Sequence, residues 1–451
     1  MTADKPTPVE PLELLSDLVR RALGAGADAA DAVMFESASL AVAQRLGKSE
    51  GVERAESRDV GLRVFRGRRQ AVVSTTDTSA GALAEIVERA LAMARAVPED
   101  PYCGLPAAEL LAREVAELDL CDEDEPAPEA LVARAAAAED AARAVAGITN
   151  SEGAEAGWGR TAVSLVTSNG FAGGYAVSEH SVGVSVIAGE GTAMERDYDY
   201  AQARFAADLL DPEGIGRGAG ERAVRRLDPR KAPSGQVPVV YEPRVARGLL
   251  SHLAAAIAGP AVARKTSFLK DRLGEAVFAP GVTVTDDARR ARGLRSKPFD
   301  GEGMATEKRD IIADGALTTW LLDQRSAREL GLAPTGHASR GASSPPAPRP
   351  TNLFLAPGSR SPAELIGDIA QGFYVTELMG MGVNLVTGDY SRGAAGFWIE
   401  NGELAHPVSE VTVAGDLKKM FAALVPADDL VFRYGVDAPT VRVDGMTVAG
   451  A

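Results

Sequence analysis

Four histidines and two cysteines are the only imidazole and thiolate donors in the 451-residue chain. Their spacing restricts the metal chemistry it could support. His180, His252, His337 and His406 are widely separated, so any site using them would be assembled from distant loops. Cys103 lies in a Pro-rich stretch and Cys121 in an acidic one, which suits neither a disulfide framework nor a thiolate cage; both are expected as free thiols. Carboxylates offer more. Asp300, Glu302 and Glu307 could grip an amine or act as a general base, although the intervening Gly301 and Gly303 equally describe a tight turn. His337 and Arg340 could meet a carboxylate, which a guanidinium holds with two parallel hydrogen bonds; turn and interface roles account for them equally well. Ser391 and Arg392 adjoin Gly393, Ala394, Ala395 and Gly396. This small-residue stretch would let an extended peptide pair through its backbone, or would permit close packing under Phe397 and Trp398.

Other strings fail on inspection. Gly47, Lys48 and Ser49 resemble the end of a phosphate loop, but Val42 stands where its first glycine belongs. Gly216, Gly218 and Gly220 fall in a charged helix candidate with no hydrophobic strand before them, so dinucleotide binding is not expected. No nucleophile-elbow serine occurs.

The elements that must carry these residues follow from periodicity. Leu12, Leu15, Leu18, Val19 and Leu23 recur at helical spacing from Pro8 onward. Strands are expected over 30–45 and 60–74, then a helix over 80–96 with Leu83, Ile86, Val87, Ala90, Leu91 and Ala94 on one face. The acidic, Pro-containing stretch 119–128 reads as a joint. Beyond it come an Ala-rich helix over 129–145, strands over 161–166 and 175–187 around an Asn169-Gly170 turn, and a helix over 216–226. After Pro233, Ser234 and Gly235 there follow a strand from Val237, a helix over 245–257, and many short strands divided by Gly and Pro. The Pro/Ser-rich run 341–350 is either a mobile lid or a plain surface loop. The expected fold is α+β in three parts: a unit over 1–118 and another over 119–234, each with helices packed on antiparallel sheet, then a mainly β barrel- or sandwich-like domain over 235–451.

Composition limits the partners. With 45% hydrophobic and 25% charged residues the chain is of ordinary globular make-up. A formal charge of −15 disfavours a nucleic-acid backbone. The nearest basic run, Arg63, Arg66, Arg68 and Arg69, is expected on a solvated face. No apolar run of about 18 residues suggests a membrane span, and no leader pattern follows Met1, so the cytoplasm is the expected location.

Several phrases in the last part resemble the TldD/PmbA peptidase family. They are Pro298 to Gly303 (PFDGEG), Gly336 to Arg340 (GHASR), Pro350 to Asn352, and Thr387 to Glu403 (TGDYSRGAAGFWIENGE) with Pro407 to Glu410 after it. A looser match through Gly61 to Val64 and Ser74 to Thr76 extends the resemblance over nearly the whole chain. It implies the three-part layout and a dimer enclosing a peptide-accessible cavity. In TldD-type members it further implies zinc held by a His-Glu-x-x-x-His helix and a Cys near the carboxy terminus. Such zinc needs about three protein ligands, an open position for water and a nearby base. Here Ser251 and Ala256 stand where the histidines would be, His252 where the glutamate would be, and no Cys follows Cys121. A lone His on an Ala/Leu-rich helix is expected to be packed or hydrogen-bonded.

The resemblance therefore implies a PmbA/TldE-type subunit without its own metal or catalytic residues. It would form a heterodimer with a zinc-carrying TldD-type metallopeptidase and serve proteolysis or maturation of unfolded or modified peptides. Asp300, Glu302, His337, Arg340, Ser391, Arg392, Gly393 and Gly396 are its candidate substrate-binding residues. Two alternatives stay open: a metal-independent homodimeric hydrolase using His337, Asp389 or Ser391, and a peptide- or metabolite-binding partner of an unrelated enzyme.

Overall fold

The computed structural model describes residues 10–450; the expected helix start at Pro8 lies outside them. The amino-terminal half contains α1 (Pro11–Gly24), β1 (Ala29–Arg45), β2 (Lys48–Arg66), β3 (Arg69–Thr75) and α2 (Ala80–Ala96). It continues through α3 (Pro128–Arg143), β4 (Ile148–Thr167), β5 (Ala172–Ala188), β6 (Glu195–Ala203) and α4 (Pro212–Arg225). The strands form one six-stranded sheet, in the order β3-β2-β1-β4-β5-β6. Its centre is β1, antiparallel to β2 on one side and β4 on the other. The stretch 119–128 thus joins two halves of a single sheet.

Alternation along β1 sorts its side chains. Ala30, Ala32 and Met34 face the helices α1 and α2, whose Leu15, Leu18, Leu83, Ile86 and Val87 close the first core. Farther along the same face, Leu40 and Val42 meet α3 and α4. Ala135, Ala138 and Ala142 keep α3 thin, and Gly216 lets α4 come so close that a Cβ there would lie 2.0 Å from the Ala138 carbonyl oxygen. The same close packing accounts for Gly220, whose Cβ would lie 2.8 Å from the Ala142 carbonyl oxygen. Asp31, Val33 and Phe35 point to the opposite face, where Val33 and Phe35 pack with Phe299 of the carboxy-terminal domain.

That domain opens with β7 (Gly235–Tyr241) and α5 (Pro243–Ala256), and carries the long strands β8 (Gln371–Met379), β9 (Asp389–Glu400) and β10 (Glu403–Asp416) before ending on β11 (Val441–Ala449). These strands run β10-β9-β8-β7-β11, and β10 pairs back to β11 through Thr412 with Ala449 and Ala414 with Thr447. Of the two forms expected, barrel or sandwich, the result is a barrel closed with five strands. Helix α5 supplies Leu249, Leu250, Leu253 and Ala256 to the core that holds Val239, Phe373 and Trp398. A second five-stranded sheet of short segments includes Val284–Asp287, Lys308–Ala313 and Leu353–Leu355.

The Pro-rich run is pinned at its base, where Ala338–Ser339 pairs antiparallel with Ala347–Pro348. Near its tip the Ala342 carbonyl rests on Gly61 of β2. It is therefore docked against the amino-terminal sheet.

Strand β9 has neighbours on both edges: Gly393 aligns with Met379 of β8 and Thr412 of β10, and Gly396 with Val375 and Val408. No edge is free there for a peptide, which corrects the expectation that one pairs along Gly393 and Gly396. Gly396 serves close packing instead, since a Cβ there would lie 1.9 Å from the Tyr374 carbonyl oxygen. Gly396→Ala is accordingly expected to destabilise the chain by about 1–3 kcal/mol, read from urea denaturation. An unchanged midpoint would show that this strand pair has slack.

Candidate functional site

Two phrases of the carboxy-terminal domain, PFDGEG and GHASR, meet β1 and β2 at one buried polar joint. Asp31, on the face of β1 that also packs on Phe299, accepts from Arg63 Nε at 2.8 Å and Nη2 at 2.5 Å, and from Arg340 Nη1 at 2.5 Å. Arg63 also reaches Glu302 Oε1 at 3.5 Å. All four side chains lie away from solvent, Arg63 at 3% exposure, so this arginine is not on the solvated face expected for it. The hairpin register sets the pair, for Asp31 stands directly opposite Arg63. Burial disfavours the Asp31 carboxylate, but Arg340 and then Arg63 outweigh it and hold its pKa below the usual range.

Asp300 is the centre of a turn. Its Oδ1 accepts from the backbone N–H of Glu302 at 2.8 Å and of Met304 at 3.0 Å, and its Oδ2 from Ala338 at 3.1 Å. Glu302 Oε2 accepts from the Gln324 N–H at 2.8 Å. Burial pushes Asp300 up to about 6. It pushes Glu302 up to about 8, with Arg63 opposing and Asp300 adding. His337 shares a 2.8 Å hydrogen bond with Thr335 Oγ1, and its Nε2 stands 3.8 Å from Asp286 Oδ1. Burial, aided by Arg309 and Lys297, lowers His337 to about 3, so it is neutral. Beside the joint a cavity of about 210 Å³ touches Tyr175, Lys297, Asp300 and Arg340. It has room for ordered water to satisfy Arg340 Nε and Nη2, which find no partner among the described residues.

A second feature opens to solvent. A cleft of about 570 Å³ lies between β6, α5 and the β8–β9 pair, lined by six arginines and two carboxylates. It contains Ser251 and Arg392. Ser251 is exposed, its Oγ 3.4 Å from the Arg247 carbonyl. His252 is half-buried, edge-on to Tyr390 with ring centres 6.1 Å apart. Burial and the nearby Arg392 lower its pKa. Ala256 is fully buried in the barrel core. Positions 251 and 256 thus diverge as the helical period requires, about 140° apart.

The edge strand β6 is already protected. The backbone N–H of Tyr198 donates to Asp197 Oδ1, and that of Tyr200 to Asp199 Oδ1, each at 2.8 Å. Arg222 and Arg244 donate to the Tyr198 carbonyl at 3.1 and 2.9 Å. An incoming strand finds little to pair with here.

The sequence-predicted residues therefore divide between two places. Asp300, Glu302, His337 and Arg340 belong to the buried joint, whereas Arg392 and Ser251 belong to the cleft. Ser391 is exposed on β9, and Asp389 accepts from Thr387 Oγ1 at 2.6 Å. Among the described residues no hydrogen bond links Ser391, Asp389 and His337. Sequence reasoning missed Asp31, Arg247 and Arg295. Asp31 could have been found as a lone charge inside the apolar run from Ala29 to Val33, opposite Arg63 in the hairpin.

Family models for the PmbA/TldA metallopeptidase match in order: domain 1 over residues 30–94, the central domain over 121–227 and the carboxy-terminal domain over 234–450. Metalloprotease PmbA of Escherichia coli O157:H7 is 40% identical over 94% of this chain and 92% of its own length. This chain belongs to the PmbA/TldD family. The Metalloprotease PmbA homolog of Haemophilus influenzae is 37% identical over 97% of this chain and 96% of its own. Among solved structures, a Bacteroides thetaiotaomicron protein described as a proposed modulator of DNA gyrase superposes with a TM-score of 0.89 at 28% identity, covering 97% of this chain and 98% of that one. TldE of Thermococcus kodakarensis, at 20% identity, shares the fold, with a TM-score of 0.87 over 97% of this chain and all of its own (100%).

PmbA/TldD relatives named as metalloproteases raise the question of whether zinc fits here. Around α5 it does not: Ser251, the packed His252 and the core residue Ala256 supply no tetrahedral donor set, and the surrounding arginines repel a divalent cation. Among the described residues no group of three or more His, Cys, Asp or Glu is placed to hold a metal ion. Also among them, no helix is long and apolar enough to cross a membrane.

The joint has a pH signature. Because the folded pKa of Glu302 is raised from 4.5 to about 8, its contribution to stability is full below pH 4.5 and is lost as pH rises through 8. Glu302→Gln, which keeps an acceptor for Gln324, is expected to flatten the decline in melting temperature between pH 6 and pH 9. Parallel curves for the two proteins would contradict a protonated Glu302.

Proposed function

We propose that this chain is the metal-free subunit of a two-component peptidase. It pairs with a zinc-carrying TldD-type subunit, completes the peptide-accessible chamber, and helps hold unfolded or modified peptides while the partner cleaves them. The cytoplasm is the setting expected for it.

The observation that carries this reading is the disposition of α5. Its residues at the metal-motif positions are an exposed serine, a packed histidine and a core alanine, and no Cys follows Cys121 to complete a ligand set. Activation of water by zinc needs ligands that converge on one point with one position open. Family membership with that chemistry missing favours a supporting role. The large solvent-open cleft beside α5 gives such a subunit a place to hold peptide.

The test is to purify the chain alone, a TldD-type homologue alone, and the two co-expressed, then to measure native mass and hydrolysis of fluorogenic peptides. The expected result is a mixed assembly whose hydrolysis is abolished by a chelator, with no hydrolysis by this chain alone. Chelator-resistant hydrolysis by the isolated chain, lost in Ser391→Ala, would overturn the reading in favour of a metal-independent hydrolase.

A further inference from the structure

The arginines of the α5 cleft are unequal. Arg226 and Arg244 are spent on carboxylates: Arg226 on Glu377 at 2.6 Å, and Arg244 on Asp197 at 2.9 Å. Arg196 pairs with Glu152 at 3.0 Å. Those pairings engage both carboxylates of the cleft lining. Three cations remain. Arg247 of α5 donates from Nε to a backbone carbonyl at 3.1 Å and lies over the Tyr434 ring at 4.2 Å. Arg392 of β9 donates from Nε to the Met379 carbonyl at 3.1 Å. Arg295, from the loop before the PFDGEG turn, rests its side chain against Gly435. Among the described residues none of the three has a carboxylate within 4.0 Å.

Three elements thus bring arginines without a carboxylate in ion-pair range to the lining of one cleft, and two of the guanidinium groups are fixed at Nε so that their outer nitrogens are left for a ligand. Held arginines facing one another are costly unless an anion joins them, because each brings the repulsion of the others. The chain as a whole carries −15, so this is a local positive site on an acidic protein. A nucleic-acid backbone would be repelled by most of the surface around it. A short segment bearing one or two carboxylates would not, and it would match the fork geometry of arginine. The protected β6 edge and the doubly paired β9 leave side-chain recognition, rather than strand addition, as the means of holding it.

We infer that the α5 cleft is a carboxylate-binding site, in which Arg247, Arg295 and Arg392 hold acidic side chains or the terminal carboxylate of a peptide. The inference rests on the peptide-handling reading and narrows it to acidic segments. Of the positions that would grip a metal in a zinc-carrying relative, Ser251 lines this cleft, among the arginines.

The test uses the full chain and fluorescence anisotropy with two labelled peptides, one rich in Asp and Glu with a free carboxy terminus, the other its Asn/Gln counterpart with an amidated end. A single-stranded oligonucleotide of similar length is the third probe. The acidic peptide is expected to bind at least about tenfold more tightly than the neutral one, with the preference shrinking as salt is raised. Arg247→Gln and Arg392→Gln should each cost about tenfold for the acidic peptide and leave the neutral one unchanged, and Arg392→Lys should recover part of the loss. Circular dichroism melts matching the parent establish that the variants are folded; Arg295→Gln provides the same reading from a separate element. Equal binding of the two peptides, variants that bind like the parent, or an oligonucleotide that competes as well as the acidic peptide would each overturn the inference. If the chain pairs with a zinc subunit yet shows no charge preference, the inference alone falls. If it prefers acidic peptides but never pairs, the subunit reading falls and the site stands.

Discussion

A buried carboxylate shared by two guanidinium groups ties the two halves of this molecule together at the centre of the sheet, with Arg244 on Asp197 and Arg433 on Asp199 as further ties near its edge. Asp31 sits at the centre of the amino-terminal sheet and accepts from Arg63 of the neighbouring strand and from Arg340 of the carboxy-terminal domain. In a site away from water an unpaired ion costs several kcal/mol, on the order of 3–5 when one partner is removed. Each charge is therefore answerable to the others, which favours this docking of the sheet on the carboxy-terminal domain. Thr351, Asp286 and His337 line a second polar seam in the same domain, and Asp300 organises the turn that delivers Phe299 to the sheet. Once this docking is set, β6 lies beside α5 and the cleft exists.

The same charge logic runs through the cleft in the opposite sense. At the joint Arg63 and Arg340 are matched or partly matched within the chain, whereas in the cleft three arginines are left for something outside it. A zinc site would need the reverse: converging neutral imidazoles, thiolate and carboxylate, with cations kept away. Substituting two ligand positions of α5 by serine and alanine removes donors, but the arginines around it change the sign of what the site can attract. For that reason the cleft is more than a metal site with pieces missing.

Much of the fold was legible because burial writes itself into periodicity. The helices at 11–24 and 80–96, the strand at 29–45 and the short β segments after Gly235 all show it, and the closed barrel is of the class expected. What escaped was chain that pairs without burying a full face. The outer half of β2, Lys48 to Arg58, is exposed along its length, so no alternation marks it, and its charges suit an unshielded edge. Glycines and acidic residues hid the first half of β4 in the same way. The candidate site was legible only in part. Sequence phrases located the residues of the joint but could not say that they face inward, because Asp300, His337 and Arg340 read alike as ligands or as buried ties. The cleft arginines come from α5, a loop and β9, separate in sequence and united only by the fold.

The account stands on the chemistry available beside α5, and the most direct measurement is equilibrium dialysis of the isolated, demetallated chain against micromolar Zn²⁺ with metal analysis of the retained protein. Far less than one zinc per chain is the predicted result. One tightly held zinc per chain, lost when His252 is replaced by Ala, would contradict it.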